Sequence, residues 1–159
     1  DERERGYWRD VGSIDAYYEA NMDLIAPVPV FNLYNDHWPV FTHRKALPPA
    51  KVSRGVAGEP SFVDGSLLSQ GSIVSGSHVE RSIISPSVFI DHDAHVIDSI
   101  LMEGVHVGAG ARLRRCIVDK NVVVPNWANI GHDPAQDAKH YTISTNGIVV
   151  VSKGQIIQR

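Results

Sequence analysis

Residues 62–130 divide into four blocks of seventeen, FVDGSLLSQGSIVSGSH, VERSIISPSVFIDHDAH, VIDSILMEGVHVGAGAR and LRRCIVDKNVVVPNWAN, closed by Ile130. Aligned on that period, the aliphatic residues fall into three columns: Phe62, Val79, Val96, Leu113 and Ile130; Leu67, Ile84, Leu101 and Val118; Ile73, Ile90, Val107 and Val124. Within each block they stand five, six and six residues apart. That spacing describes a triangular coil, with one short strand per side and a turn at each corner. A single coil cannot bury its apolar side chains, so coils of this kind stack, and at least three are needed. The period therefore predicts a parallel β-helix. At strand spacing of about 4.8 Å, four coils make a prism roughly 20 Å tall. Antiparallel strands in a sandwich would also supply short apolar runs between turns, but they give no reason for an unbroken period.

A second set of columns lies four residues further on. Ile83, Ile100 and Ile117 follow the first column; Val88, Val105 and Val122 the second; Ser77, Ala94, Ala111 and Ala128 the third. Residues i and i+4 of a strand share a face, so each side is expected to send two residues inward. Cys116 stands in line with Ser82 and Ser99 and reads as a small filler.

Outside the repeat, Ser13 is a good N-cap and Asp15 suits the first turn of a helix. Ile14, Tyr17, Tyr18, Met22 and Ile25 recur at helical spacing before Pro27 and Pro29, which predicts an amphipathic helix over 13–26. Residues 6–12 read as a strand end and tight turn. Residues 27–60 hold six of the nine prolines, and Pro48-Pro49 stiffens the connection. After the repeat, 133–140 reads as a short helix or turn and 147–152 as a final strand. The chain thus falls into 1–31, a linker at 32–60, and a β-helix with its cap at 61–159.

The 159 residues are 43% apolar with a net charge of −3, so no global basic field points to nucleic acid or an anionic membrane. No run approaches the eighteen apolar residues of a membrane span. One cysteine permits no disulfide framework, which favours a reducing, cytoplasmic setting. The charged opening without Met leads us to expect a piece of a longer protein.

The blocks Tyr7-Trp8-Arg9-Asp10-Val11-Gly12-Ser13, Tyr17 to Leu24, Asn35 to Val40, Leu47-Pro48-Pro49-Ala50-Lys51, Arg114 to Lys120 and Gly147 to Val151 occur in an order that resembles glucose-1-phosphate adenylyltransferases. The resemblance covers essentially the whole chain. It implies a left-handed parallel β-helix of the hexapeptide type, preceded by the last elements of an α/β nucleotidyltransferase domain. It also implies an enzyme that makes ADP-glucose and pyrophosphate from ATP and glucose 1-phosphate, for glycogen or starch synthesis. This stretch lacks a Gly-rich phosphate loop, so it is expected to be the regulatory and oligomerisation portion, inactive alone and tetrameric by family.

By the same resemblance Asp10 is a catalytic Mg2+ ligand and Trp8 lies near the sugar phosphate. Read from the residues alone, Asp10 is equally an acceptor for turn amides ahead of the helix. Anionic effectors are expected at His43, Arg44, Lys45, Lys51, Lys120 and Lys153, cations suited to phosphate. Three rival readings stand beside this one: a guanylyl- or uridylyltransferase of the same architecture, a pure scaffold, and a hexapeptide acyltransferase. The last is suggested by His78 and His95 in one column, with His92 and His106 nearby, although all four also read as turn residues.

Overall fold

The computed structural model describes residues 5–42 and 45–157. Its centre is the expected parallel β-helix, a prism with three sheet faces. The first face stacks Lys51–Ser53, Ile73–Ser75, Phe89–Ile90, His106–Val107 and Val123–Val124. The second stacks Phe62–Asp64, His78–Glu80, His95–Ile97, Arg112–Arg114 and Asn129–Ile130. The third stacks Leu67–Leu68, Ile83–Ile84, Ile100–Leu101 and Cys116–Val118, then Val149–Val151, against which Thr142–Ile143 runs antiparallel. Lys51–Ser53 already pairs with Ile73–Ser75, so the first face begins inside the stretch read as linker.

Each coil turns three corners, and each corner holds one residue with a left-handed backbone. At the corner between the second and third faces these are Gly65, Arg81, Asp98 and Arg115; at the next, Gly71, Ser87, Gly104 and Asn121; at the last, Gly76, Asp93, Gly110 and Trp127. Such a residue breaks strand alternation, so the inward phase restarts after it. Val79 points inward, and so does Ser82, three residues later, with no exposed surface.

Two sequence expectations need correction here. The period of seventeen holds from Val79 upward, but the first step is sixteen: Val63 pairs with Val79, Leu68 with Ile84 and Val74 with Ile90. The third corner of the first coil is one residue shorter, Val74-Ser75-Gly76-Ser77 against Ile90-Asp91-His92-Asp93-Ala94. Gly76 there lies against the backbone of Gly55, where a Cβ would meet main-chain atoms at 2.7 Å. Consequently Val63, Leu68 and Val74 occupy the inward columns, and Phe62, Leu67 and Ile73 point out. Secondly, Ile83, Ile100 and Ile117 do not enter the prism. They form the outer surface of the third face, because the corner at Arg81, Asp98 and Arg115 shifts the alternation. Val88, Val105 and Val122 are inside as expected, with Ala94 and Ala111.

That outer surface is covered by helix α1 (Ile14–Met22), capped by Ser13 Oγ accepting from Ala16 N–H. The helix continues as a single 3-10 turn, Asp23–Ile25, before Pro27. Tyr18, Ile100, Ile117 and Ile148 form a second apolar cluster, flanked by Ile14, Tyr17, Met22 and Val150. The Tyr18 hydroxyl donates to the Asp98 carbonyl at 2.6 Å. Asp15 accepts from Ser144 Oγ and from Asn146 N–H, fastening the start of α1 to the terminal hairpin. At the top, α2 (Pro134–His140), capped by Asp133, matches the short helix expected there.

Inside, a polar ladder runs beside the aliphatic columns. Ser66, Ser82 and Ser99 hydroxyls accept in turn from the amides of Ser82, Ser99 and Cys116, at 3.0, 3.1 and 3.3 Å. Each hydroxyl also donates to a carbonyl of its own coil, so these buried groups are satisfied. Cys116 is the filler expected, and burial pushes its thiol up to about 12.

The register correction has a direct test. Val74→Asp should cost about 3 kcal/mol or more in urea unfolding, because it buries an unpaired charge, and Ile73→Asp much less. The reverse order would restore the uniform period. Burial, reinforced by Asp98, pushes the Tyr18 phenol up to about 12 from 10.0. The raised folded value means this contribution is complete below the unfolded value and is lost as pH climbs from 10 towards 12. Tyr18→Phe should cost about 1–2 kcal/mol, leaving the Asp98 carbonyl without its donor, and should remove the latest-titrating tyrosine from the alkaline absorbance curve.

Candidate functional site

Asp10 lies exposed in the extended segment before α1, and its Oδ1 accepts from Gly12 N–H at 3.0 Å. This is the turn-amide use of aspartate that the residues alone allowed. The bond holds the carboxylate in place without burying it. Trp8, two residues earlier, is 81% exposed. Arg9 between them pairs with Asp23 and with Glu19 of α1, so the segment is tied to the helix on one side. Among the described residues no group of three or more His, Cys, Asp or Glu could hold a metal. Asp10 therefore belongs to no such group among the described residues.

The cations divide. Lys45 and Lys120 line one open groove of about 600 Å³ with Thr42, Gln70, Pro86 and Glu103. Lys45 is ion-paired there with Glu103. Lys153 joins them through Asp119, whose carboxylate accepts from Lys120 N–H at 2.6 Å and Lys153 N–H at 3.3 Å. Two of the expected effector residues, Lys45 and Lys120, thus share one groove, and the main chain of Lys153 lies beside Asp119. Lys51 is not one of them. It stands at the start of the first strand of the first face, exposed. His43 and Arg44 lie outside the described residues.

Glu103 and Asp119 were missed as partners of these lysines. For Glu103 the signal was present: Pro86, Glu103 and Lys120 are seventeen apart and therefore neighbours in one corner column. No periodicity links Asp119 to Lys153, because the final strand reaches the third face through the cap.

The histidines are not all turn residues. His78 and His95 sit on strands of the second face, pointing outward with rings stacked at 5.4 Å, and Phe62 stacks on His78 at 4.6 Å. Burial and the neighbouring His78 hold the His95 imidazole below its usual value. His106 is likewise on a strand of the first face. His92 alone is a corner residue, its ring against Asp91, which raises its pKa.

The chain is similar to glucose-1-phosphate adenylyltransferases over nearly its whole length. It is 47% identical over 157 residues to the one from Arthrobacter sp. (strain FB24), covering 98% of this chain and 34% of the relative. It is 45% identical to that from Anaeromyxobacter sp. (strain Fw109-5), covering 99% of this chain and 39% of the relative. Against glucose-1-phosphate adenylyltransferase 2 of Vibrio cholerae it is 45% identical, over 91% of this chain and 36% of the relative. The chain thus spans between a third and two fifths of the length of these relatives. Residues 48–151 match the family described as GlmU-like, C-terminal hexapeptide. Stacked three-sided coils, a left-handed residue at each corner and this match over most of the chain agree: the protein belongs to the GlmU-like, C-terminal hexapeptide family.

Proposed function

We propose that this chain is the regulatory and assembly portion of an enzyme that transfers an adenylyl group from ATP to glucose 1-phosphate. The products would be ADP-glucose and pyrophosphate, for glycogen or starch synthesis. One observation carries the reading: alignments at 45–49% overall identity cover 97–99% of this chain, and so extend beyond the hexapeptide match at 48–151 into the segment that precedes it. A shared fold alone would leave function open; a shared segment around Asp10 narrows it. The same similarity favours the adenylyl reading over guanylyl or uridylyl transfer, acyl transfer or a passive scaffold.

In the whole enzyme Asp10 would be one ligand to Mg2+, with Trp8 beside the sugar phosphate. When bound, such an ion would supply charge neutralisation on the phosphates, with Asp10 holding it in place. The exposed Asp10 carboxylate fits that role, since only Oδ1 is engaged by Gly12, and the remaining ligands would come from the rest of the enzyme. Anionic metabolites would bind at the corner of Lys45, Lys120 and Lys153, with His43, Arg44 and Lys51 as further candidates. A homotetramer in the cytoplasm completes the reading, with neither nucleic acid nor membrane as a partner; no helix among the described residues is long and apolar enough to span a bilayer.

Incubated with ATP, glucose 1-phosphate and Mg2+, the 159-residue chain should form no ADP-glucose and should bind Mg2+ only weakly. In the full-length enzyme Asp10→Asn should lower kcat by at least about a hundredfold, on the scale of losing a preorganised charge contact. An active Asp10→Asn enzyme would refute the metal role. Glu103 competes with an incoming anion for Lys45, so Glu103→Gln should tighten phosphate binding roughly tenfold, the effect of about 1.4 kcal/mol. Lys120→Ala should weaken it.

A further inference from the structure

Trp127 is placed where folding alone disfavours a tryptophan. Its backbone is left-handed, φ 65°, and its side chain is 72% exposed. The other left-handed corner residues are glycine, short polar residues, or the arginines Arg81 and Arg115. A bulky aromatic in that conformation is strained and gains little burial there. The coil beneath is shaped to receive it. A Cβ on Gly110 would strike the Trp127 ring at 2.2 Å, and one on Gly108 would strike Asn126 Oδ1 at 2.4 Å. The indole therefore rests on Gly110 and remains largely open to solvent.

The ring borders a trough of about 550 Å³ lined by Asn126, Asn129 and Tyr141. Asn129, Tyr141 and Ile157 also line a neighbouring hollow of about 450 Å³ with Gln136 and Gln155, so the two are continuous across the top of the prism. Among the described residues no lysine or arginine lines either part. The one carboxylate, Asp137, is 3% exposed and accepts from Gly131 N–H at 3.0 Å. Asn126 Oδ1 is used by Ala109 N–H, leaving its Nδ2 to donate. The walls thus combine carboxamides with the rings of Trp127, Tyr141 and His140.

We propose that this trough binds a neutral, linear glycan, with a sugar ring stacked on Trp127 and its hydroxyls paired to Asn126 and Asn129. A pyranose presents C–H groups, whose positive edges suit the negative face of an indole. Its hydroxyls both donate and accept, as carboxamides do. Among the described lining residues no lysine or arginine would hold a phosphate, and Asn126 Nδ2 would be left unpaired by an apolar ligand. The combined length admits several linked sugars rather than one.

The test is calorimetric titration of the full-length protein that carries this chain with maltohexaose, cellohexaose and chitohexaose in turn. Choosing an α-1,4-glucan as the expected ligand rests on the function proposed above; the trough itself does not. Saturable binding of any of the three supports the site. Trp127→Gly should weaken that binding by at least about tenfold, the scale of losing one stacking platform. Glycine relaxes the left-handed corner, so misfolding would not explain the loss, and ADP-glucose synthesis, measured in the same samples, should be unchanged. Binding of none of the three, or equal affinity in the variant, overturns the proposal. A full-length protein that binds glycan yet makes no ADP-glucose would sink the proposed function and leave this site standing.

Discussion

The structure depends on keeping parallel strands in register through three backbone reversals per coil. Each reversal needs a residue with positive φ, and the described coils supply one at every corner, from Gly65 to Trp127. Glycine meets the requirement without a Cβ penalty, while Asp and Asn tolerate it through local hydrogen bonding. Once the corners are set, Val79, Val96 and Leu113 stack directly, as do Ile84, Leu101 and Val118. Dispersion and burial then accumulate along columns rather than in a single central knot. The serine ladder answers the buried amides at one corner, from Ser82 to Cys116.

The same corners decide what the prism shows to its surroundings. By resetting the alternation, the corner at Arg81, Asp98 and Arg115 turns a stripe of isoleucines outward on the third face. An exposed isoleucine stripe on a sheet needs a cover, and α1 supplies it. Tyr18 reaches over the stripe to Asp98, and Asp15 fastens the helix start to Ser144 and Asn146. The helix that follows the segment bearing Trp8 and Asp10 is thereby fastened to the β-helix. The cap that returns Val149–Val151 to the third face also brings Lys153 beside Asp119 and Lys120. One docking arrangement thus places the proposed metal ligand and the proposed anion corner on a common frame.

Much of this was legible in the residues. The three columns above Val79, the helix after Ser13, the short helix after Asp133 and the final strand follow from spacing and capping chemistry. The register of the first coil did not. Phe62-Val63, Leu67-Leu68 and Ile73-Val74 each offer two adjacent apolar residues, so a slip of one leaves the pattern looking intact while it exchanges inside for outside. The outward isoleucines were misplaced for a related reason: i+4 equivalence holds within a strand and fails across a left-handed residue. In the candidate site, Glu103 was legible from its seventeen-residue step to Lys120, whereas no period links Asp119 to Lys153.

By itself, then, the sequence determined the architecture: a repeat of β-branched and aliphatic residues, punctuated by turn formers, can bury its apolar surface only by stacking coils. It also determined the family resemblance, through motifs at Trp8–Leu24 and Leu47–Lys51 that lie outside the repeat. The tertiary structure alone decided which of two adjacent apolar residues faces inward in the first coil. It alone showed that Ile83, Ile100 and Ile117 are covered by α1, and that Trp127 stands open above Gly110. Periodicity records distance along the chain, whereas orientation depends on backbone dihedrals at the corners and on what packs against each face.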